Sequence, residues 1–254
     1  MFAQADSYEQ FMGRWSRLLA QPFITFAGIH DGDAVLDVGS GTGVLAFAVR
    51  GADPTGTITG VDLSPDYVAY AAHHHVEARV HFEVGDAQKL PFAAATFDAT
   101  VSLLVLNFVP DPALAVREMK RVTKPGGTIA AAVWDYAGDM EMLRIFAEEA
   151  SALDPGFAPD ERKMPLGKPG ALAALFRTGG LDPVEAPVAI TLHFGSFDDY
   201  WAPFLLGTGP AGAYVKGLAP DRRDALAARL RLRFGDHAFD LKGRAWAVKA
   251  TVPN

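Results

Sequence analysis

Three short segments carry residues whose types and spacing suit the binding of a nucleoside. Val35-Leu36-Asp37-Val38-Gly39-Ser40-Gly41-Thr42-Gly43 is an apolar run entering a glycine cluster. Glycines there let the backbone turn tightly and approach a ligand without Cβ clashes. A helix starting behind them offers unpaired N–H groups. Gly60-Val61-Asp62-Leu63-Ser64 places an acid at the end of a second apolar run. A carboxylate there can accept bonds from two ribose hydroxyls, and alone it would serve NAD equally well. Val84-Gly85-Asp86-Ala87 ends a third run with a carboxylate that is acceptor-only at neutral pH, suited to an exocyclic adenine amine. The glycine spacing is G-x-G-x-G. A dinucleotide loop asks for glycine at the next position, held by Val44, and no P-loop Gly-Lys-Ser/Thr follows.

The elements that must position these residues follow from periodicity. Residues 7–29 read as helical, with Phe11, Trp15, Leu18 and Leu19 on one face and Pro22 interrupting the run. Residues 34–38 read as a buried strand and 44–49 as a helix. Strand 57–61 follows, then helix 65–76 with Ser64 as N-cap and Pro65 at its first position. Strands 80–84 and 97–105 and helix 111–122 come next; Pro125-Gly126-Gly127 breaks the chain before strand 128–134. Alternating strands and helices imply a mostly parallel sheet covered on both faces, and ligands bind at the carboxyl ends of such strands. Beyond it lie helix 139–151, a Pro/Gly-rich loop 154–169, helix 170–178, strand 184–194, a helical insert 196–234 and strand 239–251. The last two strands would complete seven. The loop and insert are natural places for a substrate lid. One domain is expected over residues 1–254: a helical cap at 1–31, a doubly wound Rossmann-like core at 32–136, and substrate-side helices, lid and two strands at 137–254.

The ordered set VLDVGSGTG, GVDLS, GDA, LPF…FD and KPGG resembles the class I S-adenosylmethionine (SAM)-dependent methyltransferases. In particular it resembles the small-molecule group related to ubiquinone/menaquinone-biosynthesis methyltransferases. The resemblance covers roughly residues 30–135, and YEQFMGRWSRLLA looks like the lead-in helix of relatives. It implies SAM as cofactor. Gly39, Ser40 and Gly41 would line its methionine and ribose, and Asp37 would orient the loop or hold the α-amino group. Asp62 would bind the ribose, Leu63 would lie against the adenine, Asp86 would bind the adenine amine, and Ala87 would add a backbone contact. Residues 102–104, among them Ser102 and Leu103, would flank the sulfonium. Tyr8, Met12 and Arg14 would close the site, with Arg14 paired to the methionine carboxylate.

Methyl transfer needs an acid–base residue only where the nucleophile must lose a proton. Many relatives carry histidine after the fourth strand; here the string is Leu106-Asn107-Phe108-Val109-Pro110, and Asn107 is no base at neutral pH. No catalytic residue is assigned. His73, His74 and His75 are consecutive on a helix, about 100° apart, and cannot converge on one metal. His193 ends a strand near the lid. Trp134, Asp135 and Tyr136 end the fifth strand and face the crevice. Tyr200, Trp201 and Phe204 would either cover an apolar acceptor or pack as core.

The chain has 254 residues, no cysteine and a net charge of −7. Disulfides, thiolate metal sites and cysteine nucleophiles are thereby excluded, and no metal is expected. The acidic balance disfavours nucleic acid. Arg222, Arg223, Arg229, Arg231 and Arg233 read as the solvated face of a helix. No run approaches ~18 apolar residues and no basic start precedes an apolar stretch, so membrane insertion is not expected and a cytoplasmic location is. The partner is a small-molecule acceptor, apolar or aromatic. Two other readings remain open: a non-catalytic SAM-binding protein and an NAD-dependent oxidoreductase. The acceptor, the atom methylated and the oligomeric state are not legible.

Overall fold

The computed structural model describes residues 3–53, 55–157 and 159–254. Their strands are β1 (Ala34–Val38), β2 (Thr57–Asp62), β3 (Val80–Val84), β4 (Phe97–Leu103), β5 (Thr123–Trp134), β6 (Val184–Phe194) and β7 (Phe239–Thr251), in the spatial order β3-β2-β1-β4-β5-β7-β6. Pairing is parallel from β3 to β5, and β7 runs antiparallel to both β5 and β6. This is the expected α/β, Rossmann-like, mostly parallel seven-stranded sheet.

Side-chain alternation along the strands divides the core into two layers. Ala130, Ala132 and Trp134 of β5 pack on one face of the sheet, with Trp15, Leu19, Phe23, Phe146 and Phe204. Ile129, Ala131 and Val133 pack on the other, with Val116, Met119 and Phe176. The first layer is formed by α2 (Arg14–Ala27), α3 (Val44–Ala52), α6 (Glu141–Leu153) and the insert helices α8 (Phe197–Leu205), α9 (Gly209–Gly217) and α10 (Pro220–Phe234). The second is formed by α5 (Pro112–Val122) and α7 (Ala171–Thr178). The remaining helices are α1 (Ala3–Tyr8) and α4 (Pro65–His74).

The N-terminal helical stretch continues through Pro22, which lies inside α2. Proline there removes only the bond to the carbonyl of Leu18, a residue that faces solvent. The departure from ideal geometry comes earlier, as a π-helical turn at Glu9–Gly13. Such turns are rare and recur at functional sites. Pro125-Gly126-Gly127 does not break the chain either, since β5 runs through it. The register on β4 jumps from Phe97↔Thr123 to Ala99↔Thr128, with Gly126 at φ +78°. The segment is a bulge. β4 ends at Leu103 rather than 105, because Leu104 turns left-handed at φ +66°. Asp111 and Ser64 cap α5 and α4 by accepting the N–H groups of Leu114 and Tyr67.

Candidate active site

Register brings the glycine loop and the second strand end together. Asp37 of β1 is level with Gly60 of β2. The N–H groups of Gly39 and Ser40 donate to the Val61 carbonyl at 2.7 and 3.0 Å. Asp62 accepts from Gly41 at 2.9 Å through Oδ2 and from Ser64 at 2.8 Å through Oδ1. Each oxygen keeps a lone pair for a ligand. Gly39 sits at φ +76°, and a Cβ there would lie 2.5 Å from the methyls of Val105. Glycine is required for both reasons.

A cavity of about 340 Å³ opens above this corner, a size ordinary for a small-molecule site. One end is walled by Asp37, Gly39, Ser40, Gly41, Asp62 and Tyr67. The other is walled by Phe11, Met12, Phe108, Trp134, Tyr136, Glu161 and Thr208-Gly209-Pro210, where α9 begins. Tyr8 belongs to the wall, with its ring 5.8 Å from that of Tyr67. The π-helical turn places Phe11 and Met12 over the cavity, and Glu9 within it accepts the hydroxyl of Thr42 from the glycine loop.

The lining carries the carboxyls of Asp37, Asp62 and Glu161 and, among the described residues, no Lys, Arg or His. Asp37 is 1% exposed, and its Oδ2 has no hydrogen-bond partner; neither has the buried Ser40 hydroxyl. Burial, followed by the neighbouring Asp62 charge, pushes the Asp37 carboxyl up to about 7. Burial, then Asp160, pushes Glu161 to about 7 as well. Desolvation pushes the Tyr8 phenol up to about 12 and also raises that of Tyr136 well above its ordinary value. Such a cavity favours a ligand bearing positive charge and opposes the diphosphate of a dinucleotide.

The sequence-derived positions divide in three. Tyr8, Met12, Asp37, Gly39, Ser40, Gly41, Asp62 and Leu103 line the cavity. Leu63, Asp86 and Ala87 lie at the neighbouring strand ends, outside its wall. Leu63 is 70% exposed, while Asp86 accepts from the backbone and side-chain nitrogens of Gln88. Ser102 is fully buried, and its hydroxyl donates to the Val38 carbonyl at 2.9 Å, tying β4 to β1. Arg14 is turned away from the cavity. Its guanidinium bonds Asp199 at 2.7 Å and lies over the rings of Trp15 and Phe194.

Other candidates also resolve. Asn107 accepts the N–H of Leu166 at 3.1 Å, joining the loop after β4 to the 154–169 loop. Asp135 is spent on Arg244 at 2.6 Å, outside the cavity that its neighbours Trp134 and Tyr136 line. His193 is exposed and paired with Asp240 across β6 and β7. Tyr200, Trp201 and Phe204 are core, with the Tyr200 hydroxyl donating to the Met142 carbonyl. Arg229 and Arg233 bond Glu149 and Glu148, while Arg231 bonds Asp198 and Asp236, as a solvated helix face would. No acidic or imidazole group of three or more could hold a metal among the described residues. Glu161 and Pro210 went unread in the sequence. Glu161 sits in a loop without periodicity and Pro210 at the start of α9, and only the expectation of a lid in the 154–169 loop and the 196–234 insert pointed there.

An open α/β sheet whose glycine loop and strand-end carboxylates wall one cavity is the arrangement that the resemblance to class I methyltransferases implies. Residues 36–131 match the family model described as a methyltransferase domain. A ubiquinone biosynthesis O-methyltransferase of Pseudomonas putida is 33% identical over 160 residues, 59% of this chain and 65% of that protein. Among solved structures, the YcgJ protein of Bacillus subtilis aligns with TM-score 0.60 at 21% identity, over 93% of this chain and 98% of its own. Phosphoethanolamine N-methyltransferase 2 of Haemonchus contortus, solved with S-adenosyl-L-methionine, aligns with TM-score 0.59 at 17% identity over 100% of this chain and 58% of its own. The chain spans 34% to 65% of the length of the curated relatives it matches.

Proposed function

We propose that this chain transfers a methyl group from SAM to a small-molecule acceptor, leaving S-adenosylhomocysteine. The observation that carries the reading is the cavity's charge. Asp37 presents a buried, unpartnered carboxylate oxygen and Asp62 lies beside it, with no basic side chain on the described wall. SAM brings an ammonium and a sulfonium to that end, and the residues present fit it. When bound, SAM supplies an activated methyl group, so the hard chemistry belongs to the cofactor.

In this reading Asp37 and Ser40 hold the amino-acid portion, and Gly39 and Gly41 admit it by close backbone approach. Asp62 binds the ribose hydroxyls, Leu63 covers the adenine, and Asp86 and Ala87 meet its edge. Tyr8 and Met12 close over the ligand, and Leu103 flanks the reacting carbon. The apolar end, with Phe11, Phe108, Trp134 and Tyr136, suits an apolar or aromatic acceptor and excludes water from the transfer. Residues 1–254 act as one unit in the cytoplasm. No helix among the described residues is long and apolar enough to cross a membrane. The net charge of −7 supports a small molecule over nucleic acid.

The experiment is calorimetric titration with SAM and S-adenosylhomocysteine, with NADH as control. Binding of the first two justifies a radiolabelled-methyl screen. A folded protein that binds neither overturns the reading, and one that binds NADH instead is an oxidoreductase.

A further inference from the structure

Glu161 stands apart from the groups assigned above. It lies in a short helical turn, Glu161–Lys163, within the 154–169 loop, and is only 8% exposed, yet its side chain lines the cavity at the apolar end. No hydrogen bond or ion pair to its carboxylate exists among the described residues. The cations next to it in the chain are directed elsewhere. Arg162 bonds Asp160 at 2.7 and 2.8 Å and the hydroxyl of Ser151, and Lys163 is 3.7 Å from Asp160. The titratable groups sharing its cavity are Tyr8, Asp37, Asp62, Tyr67 and Tyr136; α6, packed behind the turn, contributes Arg144, which is bonded to Glu141 and Glu148. None neutralises Glu161.

A buried carboxylate without a partner costs free energy that a purely structural role would not repay. The turn is also held in place. Asn107, where a histidine base would otherwise stand, anchors Leu166 at the next turn, Pro165–Gly167. On the same wall Trp134 carries a buried indole N–H with no acceptor. An indole N–H only donates and a carboxylate only accepts. A hydroxyl has both a lone pair and a proton, so it can donate to a carboxylate and accept from an indole. An ammonium group has no lone pair to offer the indole.

We propose that Glu161 is the general base of this site, taking the proton from a neutral, apolar or aromatic hydroxyl compound as its oxygen receives the methyl group. The proposal rests on the methyl-transfer reading above. The oxygen–methyl bond forms as the sulfur–methyl bond breaks, and that electron pair returns to sulfur. The hydroxyl proton passes to the Glu161 carboxylate and then to solvent. A carboxyl held near 7 by burial is well matched to such a proton at neutral pH.

The test compares wild type with Glu161→Gln and Glu161→Asp. Binding of S-adenosylhomocysteine is measured first, and the expected affinity is within twofold in all three. A wild type that fails to bind it sinks the underlying reading, whatever Glu161 does. Transfer of labelled methyl is then measured to phenol, catechol and 1-octanol, with the matching amines alongside. The expected result is transfer to a hydroxyl compound, with kcat about 100-fold lower in Glu161→Gln and partial recovery in Glu161→Asp. The acidic limb of the wild-type kcat profile disappears in Glu161→Gln. Independently of turnover, the carbon-13 signal of the Glu161 carboxyl titrates with a midpoint of about 7 and shifts when phenol is added to the S-adenosylhomocysteine complex. Equal kcat and an unchanged pH profile in Glu161→Gln overturn the assignment. So does a wild type that binds SAM yet methylates only amines, or none of these compounds.

Discussion

Oδ2 of Asp62 accepts the N–H of Gly41 at 2.9 Å, so the acid ending β2 holds the tip of the glycine loop that leaves β1. The same carboxylate is proposed to bind the ribose. Asp62→Ala removes both functions and should weaken SAM at least tenfold by calorimetry. Asp62→Asn keeps an amide oxygen for Gly41 and should fall between. A loss of affinity equal in the two variants would show that the loop bond contributes nothing.

Gly39→Ala should destabilise the fold. A non-glycine residue at left-handed φ costs about 1–2 kcal/mol, and the collision with Val105 adds roughly 1–3 kcal/mol. Urea unfolding measures the sum. Val105→Ala in the same chain should recover the steric part and leave the backbone part. Full recovery would mean that Gly39 is needed for space alone.

Asp37 and Glu161 predict a pH dependence whose sign follows from burial. Both carboxyls lie near 7 in the folded chain and at about 4 when unfolded. The folded state therefore prefers them protonated. Their stabilising contribution is full below about 4 and is lost as pH rises through about 7. Asp53, Asp98, Glu118 and Asp160 are shifted down, each by hydrogen bonds or an ion pair that outweigh its burial, so their contribution fades only in more acidic solution. The ligand-free Tm should fall between pH 5 and 8, and Asp37→Asn with Glu161→Gln should flatten that fall. An unchanged slope in the double variant would remove both groups from the account.

A cationic ligand beside Asp37 favours its ionised form. SAM binding at pH 7 should therefore release protons. Calorimetry in buffers of different ionisation enthalpy measures the number released, and Asp37→Asn should reduce it. Proton uptake on binding would contradict the placement of positive charge at that end.

Arg14 separates a scaffold role from a ligand role. Its guanidinium is held by Asp199 and stacked on Trp15, 4.1 Å from the ring centroid. Arg14→Ala should leave the SAM affinity within about twofold and lower stability by roughly 1 kcal/mol, since the pair is partly exposed. A tenfold loss of affinity with unchanged stability would restore the ligand role.

Local chemistry made much of this protein legible. Residues 80–84, 184–194 and 239–251 are strands with the bounds read from their sequence, because β-branched and apolar alternation sets both the element and its ends. The glycine loop and Asp62 were equally legible, since left-handed backbone and strand-end acids leave a signature within a few residues. Orientation was not. Nothing near Arg14 in sequence reveals Asp199, which is 185 residues away and pairs it with the insert. Glu161 lies in a loop without period, and only the docking of that loop against Asn107 and Tyr136 buries its carboxylate at the cavity. Residue type and spacing fix which elements form and where a ligand loop must stand. Which charges are neutralised, and which are left facing the cavity, depends on contacts between segments far apart in the chain, and only the tertiary structure decides them.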